Sequence, residues 1–514
     1  MDGVFRLTGI ALASLMMGSN VVSAQGRGGG GNWPSAGSDP QRTSWVRADA
    51  KISKDSLQKP GFQLLWKSKM DNQPRQLYSL TQPLLLQNII SYKGFKALAF
   101  VGGSGDNVYS IDYDLNKMFW KTHLSSGVAT EGTATCPSAL TTLTRVVPIT
   151  PPAAPAGGRG GRGGGGGFGG GNNNIYAISS GGMVHVLNVQ TGEDLNPPMP
   201  FLPAGAKAIG SLSTGTTVYA ATTDNCGGAP NGVYSLDLSQ KSVKSWDAKG
   251  AAIAGTVAPT FGTDGTIYVA TSGGSADTAN AVVALDSTAL TSKDWFSAGS
   301  PFVSAPIVFQ FQGKDVVAAA NRDGRIYLLD GASLGGADHK TALAKSAPYA
   351  ASTGDFTPGA LATWQDADGT RWIAVPSSGS PSPDAKFTMT NGAVTAGAIV
   401  TFKVTGTTTP ALEPGWVSRD LTSPITPLVM NGVVFAVAGG GASGTPQATA
   451  AQRVQQSKPA VLYALDATTG KELWTSGSVI TSPVFGVGPS GGDGQVYVVA
   501  YDGTVYAFGM PMER

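Results

Sequence analysis

The chain is poor in most of the side chains that carry chemistry. Among its 514 residues are two cysteines, three histidines and five glutamates, and charged residues make up only 13%. Two cysteines, Cys136 and Cys226, are too few for a disulfide framework, but they allow one bridge in an oxidising compartment. No adjacent cysteines and no Cys-x-x-Cys-His run exist, which excludes a c-type haem attachment. His123, His185 and His339 lie far apart without metal-ligand spacing, and each is expected on the surface or in a loop. A net charge of +2 without a basic or acidic tract leaves no electrostatic footprint for nucleic acid. Beyond the N-terminus no apolar run is long enough for a membrane-spanning helix.

Glycine, by contrast, is abundant. The 71 glycines and 32 prolines suit many tight turns and disfavour long helices. At the N-terminus, Arg6, the apolar stretch Leu7 to Met17 and the small residues Val22-Ser23-Ala24 form an export-signal pattern over residues 1–24. The alternative is an uncleaved apolar anchor. No cysteine follows the cleavage position, so lipid attachment there is not expected. The expected location is periplasmic or secreted. Residues 25–60 form a Gly-rich and irregular segment, and 61–514 are organised by a repeat.

That repeat is a small hairpin. "VLYALDATTGKELW" alternates from Val461, turns, and ends at Trp474. Similar stretches end at Trp120, Trp246 and Trp295, and weaker copies occupy 182–195 and 324–336. A short strand precedes each hairpin, such as "TVYAATT" or "VYVVAYD", and an apolar strand often marked by proline precedes that. Each unit is thus about four strands. Units begin near residues 82, 134, 207, 255, 302, 357, 422 and 479, a spacing in the range of propeller blades. Sheets of this kind bury their faces by stacking radially, which also protects their edges. The last unit stops after its third strand, and "FQLLWKS" (62–68) has the pattern of the missing fourth. The sequence therefore predicts an all-β, eight-bladed β-propeller of four-stranded antiparallel blades, closed by an N-terminal strand. Seven blades is the alternative, because the 350–421 unit is irregular. The Gly-rich tract at 151–174 is expected to be a flexible loop.

Ala464, Asp466, Gly470, Lys471 and Trp474 resemble the tryptophan-docking repeat of quinoprotein alcohol dehydrogenases and their non-catalytic relatives. "WPSAGSDPQRTSW" (33–45) looks like the segment that opens many such propellers. In the repeat, the aspartate and glycine shape the turn, and the tryptophan fills the gap between blades with its N–H free to reach a carbonyl. The resemblance implies, for the family's enzymes, pyrroloquinoline quinone with calcium on the propeller axis, an adjacent Cys-Cys disulfide and a catalytic aspartate. "AANRDGRIYLLDG" (318–331) is similar to the family's quinone-contacting segment and makes Arg322 the one cofactor-binding candidate. Other positions depart from the pattern. Gly273 stands where the family has a calcium-ligating asparagine, and "FSAGSPFVSAP" after Trp295 lacks a carboxylate. Glu131 is the only glutamate placed to be a relict metal ligand.

Propeller topology puts Cys226, Arg322 and two insertions, 377–397 and 439–460, on one face, with Cys136 at the start of the neighbouring blade; a Cys136–Cys226 disulfide joining two blades is expected. No catalytic and no metal-ligating residue is assigned. The sequence favours an exported, monomeric, non-catalytic scaffold that binds envelope protein partners. The alternatives are a quinone-dependent alcohol or sugar dehydrogenase with a divergent site, and a carbohydrate- or peptide-binding module using the axial funnel.

Overall fold

Eight four-stranded antiparallel blades form a ring in the computed structural model of the chain. The structure describes residues 32–511 apart from residues 60, 92–93, 125–131, 134, 138–141, 150–173, 351–357 and 443–447. The export signal, Glu131 and nearly all of the Gly-rich loop lie outside the described residues.

The third blade shows the unit plainly. Strands Lys207–Thr214, Thr217–Thr223, Gly232–Asp237 and Ser242–Asp247 form an antiparallel meander in chain order. Alternation decides the packing. Val218 and Ala220 face the second blade with Tyr176 and Val186, while Tyr219 and Ala221 face the fourth with Phe261 and Ile267. Each blade thus buries both faces against its neighbours, as a sheet that is apolar on both sides requires. The first strands of adjacent blades touch one another and line the central channel.

Ring closure follows the expected route. Gln63–Lys69 pairs antiparallel with Thr504–Gly509, with Leu64 opposite Phe508 and Trp66 opposite Ala507. The 350–421 unit is a complete blade, so the count is eight. Its strands are Ala362–Gln365, Arg371–Ser378, Gly397–Thr405 and Ala411–Val417. Its irregularity comes from the insertion between the second and third strands, which adds Thr388–Met389 in parallel to Ala411–Val417.

The sequence assigned no place to the residues before the closing strand. In the structure, residues 33–46 fill the channel. Trp33 exchanges backbone hydrogen bonds with Leu85 of the first blade, and the Pro34 carbonyl accepts from Arg145 beside the second. The carbonyls of Pro40, Gln41, Thr43 and Ser44 accept from Phe261, Val308, Thr363 and Val429, in blades four to seven. Trp45–Val46 then joins the seventh blade as a parallel strand. Arg42 completes the set. Fully buried, its guanidinium donates to the Pro259 carbonyl (3.0 Å), to Ser211 of the third blade (3.1 Å), to the Ser35 hydroxyl and to Ala36. Burial brings its pKa down to about 10, with Asp39 opposing that shift. Gln82 links this plug to the eighth blade, accepting from Gly37 and donating to Gly488 and Pro489.

Arg42→Ala leaves three buried carbonyls without their donor and opens a void at the axis. It is expected to destabilise the fold by about 3 kcal/mol, measured by denaturant titration. A midpoint equal to the wild type would rule out a structural role for the plug arginine.

Candidate functional site

The repeat turn works between blades. Ala464 is fully buried in strand Val461–Asp466, opposite Trp474. The Asp466 carboxylate accepts from the backbone and hydroxyl of Thr468 (2.8 and 2.7 Å) and the backbone of Thr469 (2.9 Å). It also pairs with Lys54 at 3.0 Å. Gly470 has φ +73°, and a Cβ there would lie 2.5 Å from the Trp416 ring of the preceding blade. Trp416 donates its indole N–H to the Ala467 carbonyl of the same turn (3.0 Å). The arrangement recurs. Trp120 donates to Val189 (2.8 Å) and covers Gly192 in the second blade. Trp66 of the closing strand donates to Tyr113 of the first (2.8 Å). Trp474 itself meets Phe62 edge-on at 4.8 Å and Phe508 at 5.7 Å, beside the closing strand. These residues serve packing.

On the upper face, where the second and third strands of each blade connect, the structure joins Cys136 and Cys226 in a disulfide with Cα atoms 5.4 Å apart. Cys226 begins a single helical turn, Cys226–Gly228, in the third blade, and Cys136 lies before the second. Arg322 sits in the corresponding turn of the fifth blade. Its backbone donates to Pro301 (2.8 Å) and its side chain is exposed. The neighbouring Asn321 is fully buried and fixes the turn by donating to Ser300 (2.8 Å).

Two findings differ from the sequence expectations. The insertion 377–397 leaves the upper face and runs down the outer edge of the sixth blade, where Thr390 donates to the Thr469 carbonyl and Asn391 to Gly470. Its short strand pairs with the blade's exposed edge, which holds it there. His185 is buried in strand Met183–Leu187 and bonded to Asp194 at 2.9 Å, because the strand's alternation turns it inward and the following turn brings the carboxylate back. His339 lies in a turn, as expected, and there it stacks on Trp295 at 3.7 Å and meets Asp294 at 3.0 Å. The other insertion carries a short helix, Ala450–Gln456, capped by Thr449 and Gln452.

The residues at the quinone-site positions do not fit calcium with a quinone. Gly273 offers no side-chain oxygen, and its backbone donates to Asn280 (2.7 Å). The carboxylates nearest in sequence are already engaged: Asp277 with Lys249 (3.3 Å), Asp294 with His339, and Asp323 with the Tyr327 hydroxyl (2.7 Å). Calcium takes six or more oxygen ligands. Among the described residues no three His, Cys, Asp or Glu side chains gather as a metal site.

A family profile described as outer membrane protein assembly factor BamB matches residues 430–510, the last three strands of the seventh blade and most of the eighth. No curated protein matches in sequence. Among solved structures, the quinohemoprotein alcohol dehydrogenase of Comamonas testosteroni is similar at 14% identity and TM-score 0.57, over 94% of this chain and 82% of that one. A europium-containing methanol dehydrogenase matches at 12% identity and TM-score 0.54, over 94% and 99%. BamB from Moraxella catarrhalis matches at 11% and TM-score 0.45, over 88% and 99%. At such low identity the likeness fixes the fold alone.

Two measurements follow. Peptide mapping of unreduced protein is expected to yield Cys136 and Cys226 in one linked species; two alkylatable thiols would contradict the bridge. Burial alone would raise the Asp466 carboxyl, but the bonds from Thr468 and Lys54 outweigh it and hold it at about 2, below the ordinary 3.8. A lowered folded pKa contributes stability that is complete above the unfolded value and is lost as pH falls through the folded one. The melting difference between wild type and Asp466→Asn should therefore be full above about pH 5 and shrink toward pH 2. A difference constant across that range would remove the carboxylate from the account.

Proposed function

Taking as premise an eight-bladed propeller of the PQQ-repeat kind, we propose that the protein is an exported binding scaffold without catalytic activity, working with protein partners of the cell envelope. The observation that carries this reading is the engagement of Asp277, Asp294 and Asp323 by Lys249, His339 and Tyr327, beside a glycine at position 273. A dehydrogenase of this kind needs metal ligands, a base and a quinone clamp together, each within reach of the reacting atoms. Here each of these carboxylates already serves a local contact. The matched profile bears the name of an outer-membrane protein assembly factor, which suits an exported chain. No helix among the described residues is long and apolar enough to cross a membrane.

The second reading, a divergent quinone dehydrogenase, rests on Arg322 and the segment around it. The two readings part on one experiment. Purified mature protein is mixed with pyrroloquinoline quinone and calcium and followed by quinone absorbance, thermal shift, and dye reduction with alcohols and aldose sugars. A ligand bound only by the folded state raises the melting temperature. The scaffold reading expects no shift and no dye reduction. Dye reduction dependent on both additives would overturn it, and a shift abolished by Arg322→Ala without turnover would reassign Arg322 as a remnant quinone contact.

A further inference from the structure

The axial plug leaves the channel at its lower mouth, and a cavity of about 330 Å³ opens there. Gln41, Thr43 and Arg47 line it from the plug, with Thr263, Phe309 and Arg371 from blades four, five and six. We propose that this cavity binds a small oxyanion, a carboxylate or phosphate group on a ligand of metabolite size, between the guanidinium groups of Arg47 and Arg371.

The two arginines differ from others in the fold. Arg42 is saturated by carbonyl and hydroxyl oxygens, and Arg419 pairs with Glu472 at 2.7 Å. Among the described residues, the side chains of Arg47 and Arg371 make no hydrogen bond or salt bridge and rest on aromatic rings. Arg47 lies 4.9 Å from the centre of the Trp45 ring, and Arg371 lies 5.5 Å from Trp45 and 5.5 Å from Phe309. The Nε of Arg371 is buried without a hydrogen-bond partner. The carboxylates in the neighbourhood are turned to other donors. Asp39 accepts from the Thr43 backbone and hydroxyl (2.9 and 2.6 Å), and Asp315 accepts from the Thr263 backbone (2.7 Å) and from Gln310. Burial, reinforced by Arg47 and opposed by Asp39, lowers the Arg371 pKa to about 10, which still leaves it charged at neutral pH.

A largely buried guanidinium that faces a second guanidinium and has only the more distant Asp39 as counter-charge is costly, and an arriving anion relieves that cost. The planar fork of arginine matches the two oxygens of a carboxylate or phosphate. The apolar side of the cavity, Val308 and Phe309, gives a ligand's carbon frame a surface to lie on. The volume is at the lower end of small-molecule sites. This inference does not depend on the scaffold reading, and the quinone and anion titrations succeed or fail separately.

The test is calorimetric titration of the mature protein with inorganic phosphate and, separately, with citrate, against sodium chloride at matched ionic strength. Saturable one-to-one binding of at least one anion is expected, and which of them binds assigns the oxyanion. Arg47 is exposed and its side chain makes no hydrogen bond among the described residues, so Arg47→Ala should stay folded and weaken binding at least tenfold. Arg371→Lys keeps the charge without the fork and should weaken it as well. Arg322→Ala, on the opposite face, should bind as the wild type does. No saturable binding of either anion would overturn the proposal, and so would equal affinity in wild type and Arg47→Ala.

Discussion

The inner edge of each blade is the constraint on which this molecule turns. A ring of sheets protects its outer faces by stacking, but the first strand of every blade still presents unpaired amides to the channel. Water can satisfy them only in a wide, wet channel. This chain uses itself instead. The carbonyls of Pro34, Pro40, Gln41, Thr43 and Ser44 take amides from blades around the ring, and Arg42 supplies donors where carbonyls point inward. The arginine is needed because a backbone plug runs short of N–H groups at Pro40 and Pro34. One guanidinium with five donors supplies what two prolines cannot.

The second requirement is register between blades. A tryptophan at the end of one blade lies over a glycine in the turn of the next, as Trp416 does over Gly470 and Trp120 over Gly192. Only a residue without a Cβ, at positive φ, lets the indole approach so closely. The indole N–H then finds a turn carbonyl, so burying the ring leaves no polar atom unpaired. Trp474 breaks the series, because the eighth blade has no continuous turn at that corner: its fourth strand comes from the N-terminus. Phe62 and Phe508, from the two chain segments that meet there, receive the indole instead.

The residues that make these contacts were legible in the sequence because each belongs to a hairpin, although the contacts themselves run between blades. Alternation, the turn residues and the terminal tryptophan gave blade number and order, and the orphan strand around Trp66 gave the closure. The plug was not legible, since it bonds through backbone carbonyls that every residue carries, to partners such as Val429 that lie hundreds of residues away. His185 was misplaced for a related reason. Its alternation with Val184 and Val186 points inward, but only Asp194, returning from the next turn, makes a histidine tolerable there. The path of the 377–397 insertion escaped too, because loop position at its ends says nothing of the sheet edge its middle covers. Around Arg322 a motif was readable, and the fold assigned its fixed role to the neighbour, Asn321.

One stretch of chain connects all of this. Residues 33–69 form the plug, one wall of the lower cavity and the strand that closes the ring. Closure brings together segments more than four hundred residues apart, so its entropic cost is set by a long loop, although that cost grows only slowly with length. The plug offsets it by anchoring the same segment to seven blades. A ligand held by Arg47, beside Thr43 and Gln41, would contact the segment only in its docked position. Binding that is exclusive to the docked form adds its free energy to closure by mass action. A ligand at the lower mouth would therefore be coupled to the closing strand through the chain that runs from Arg47 to Gln63, and its occupancy would be felt as stability of the closed ring.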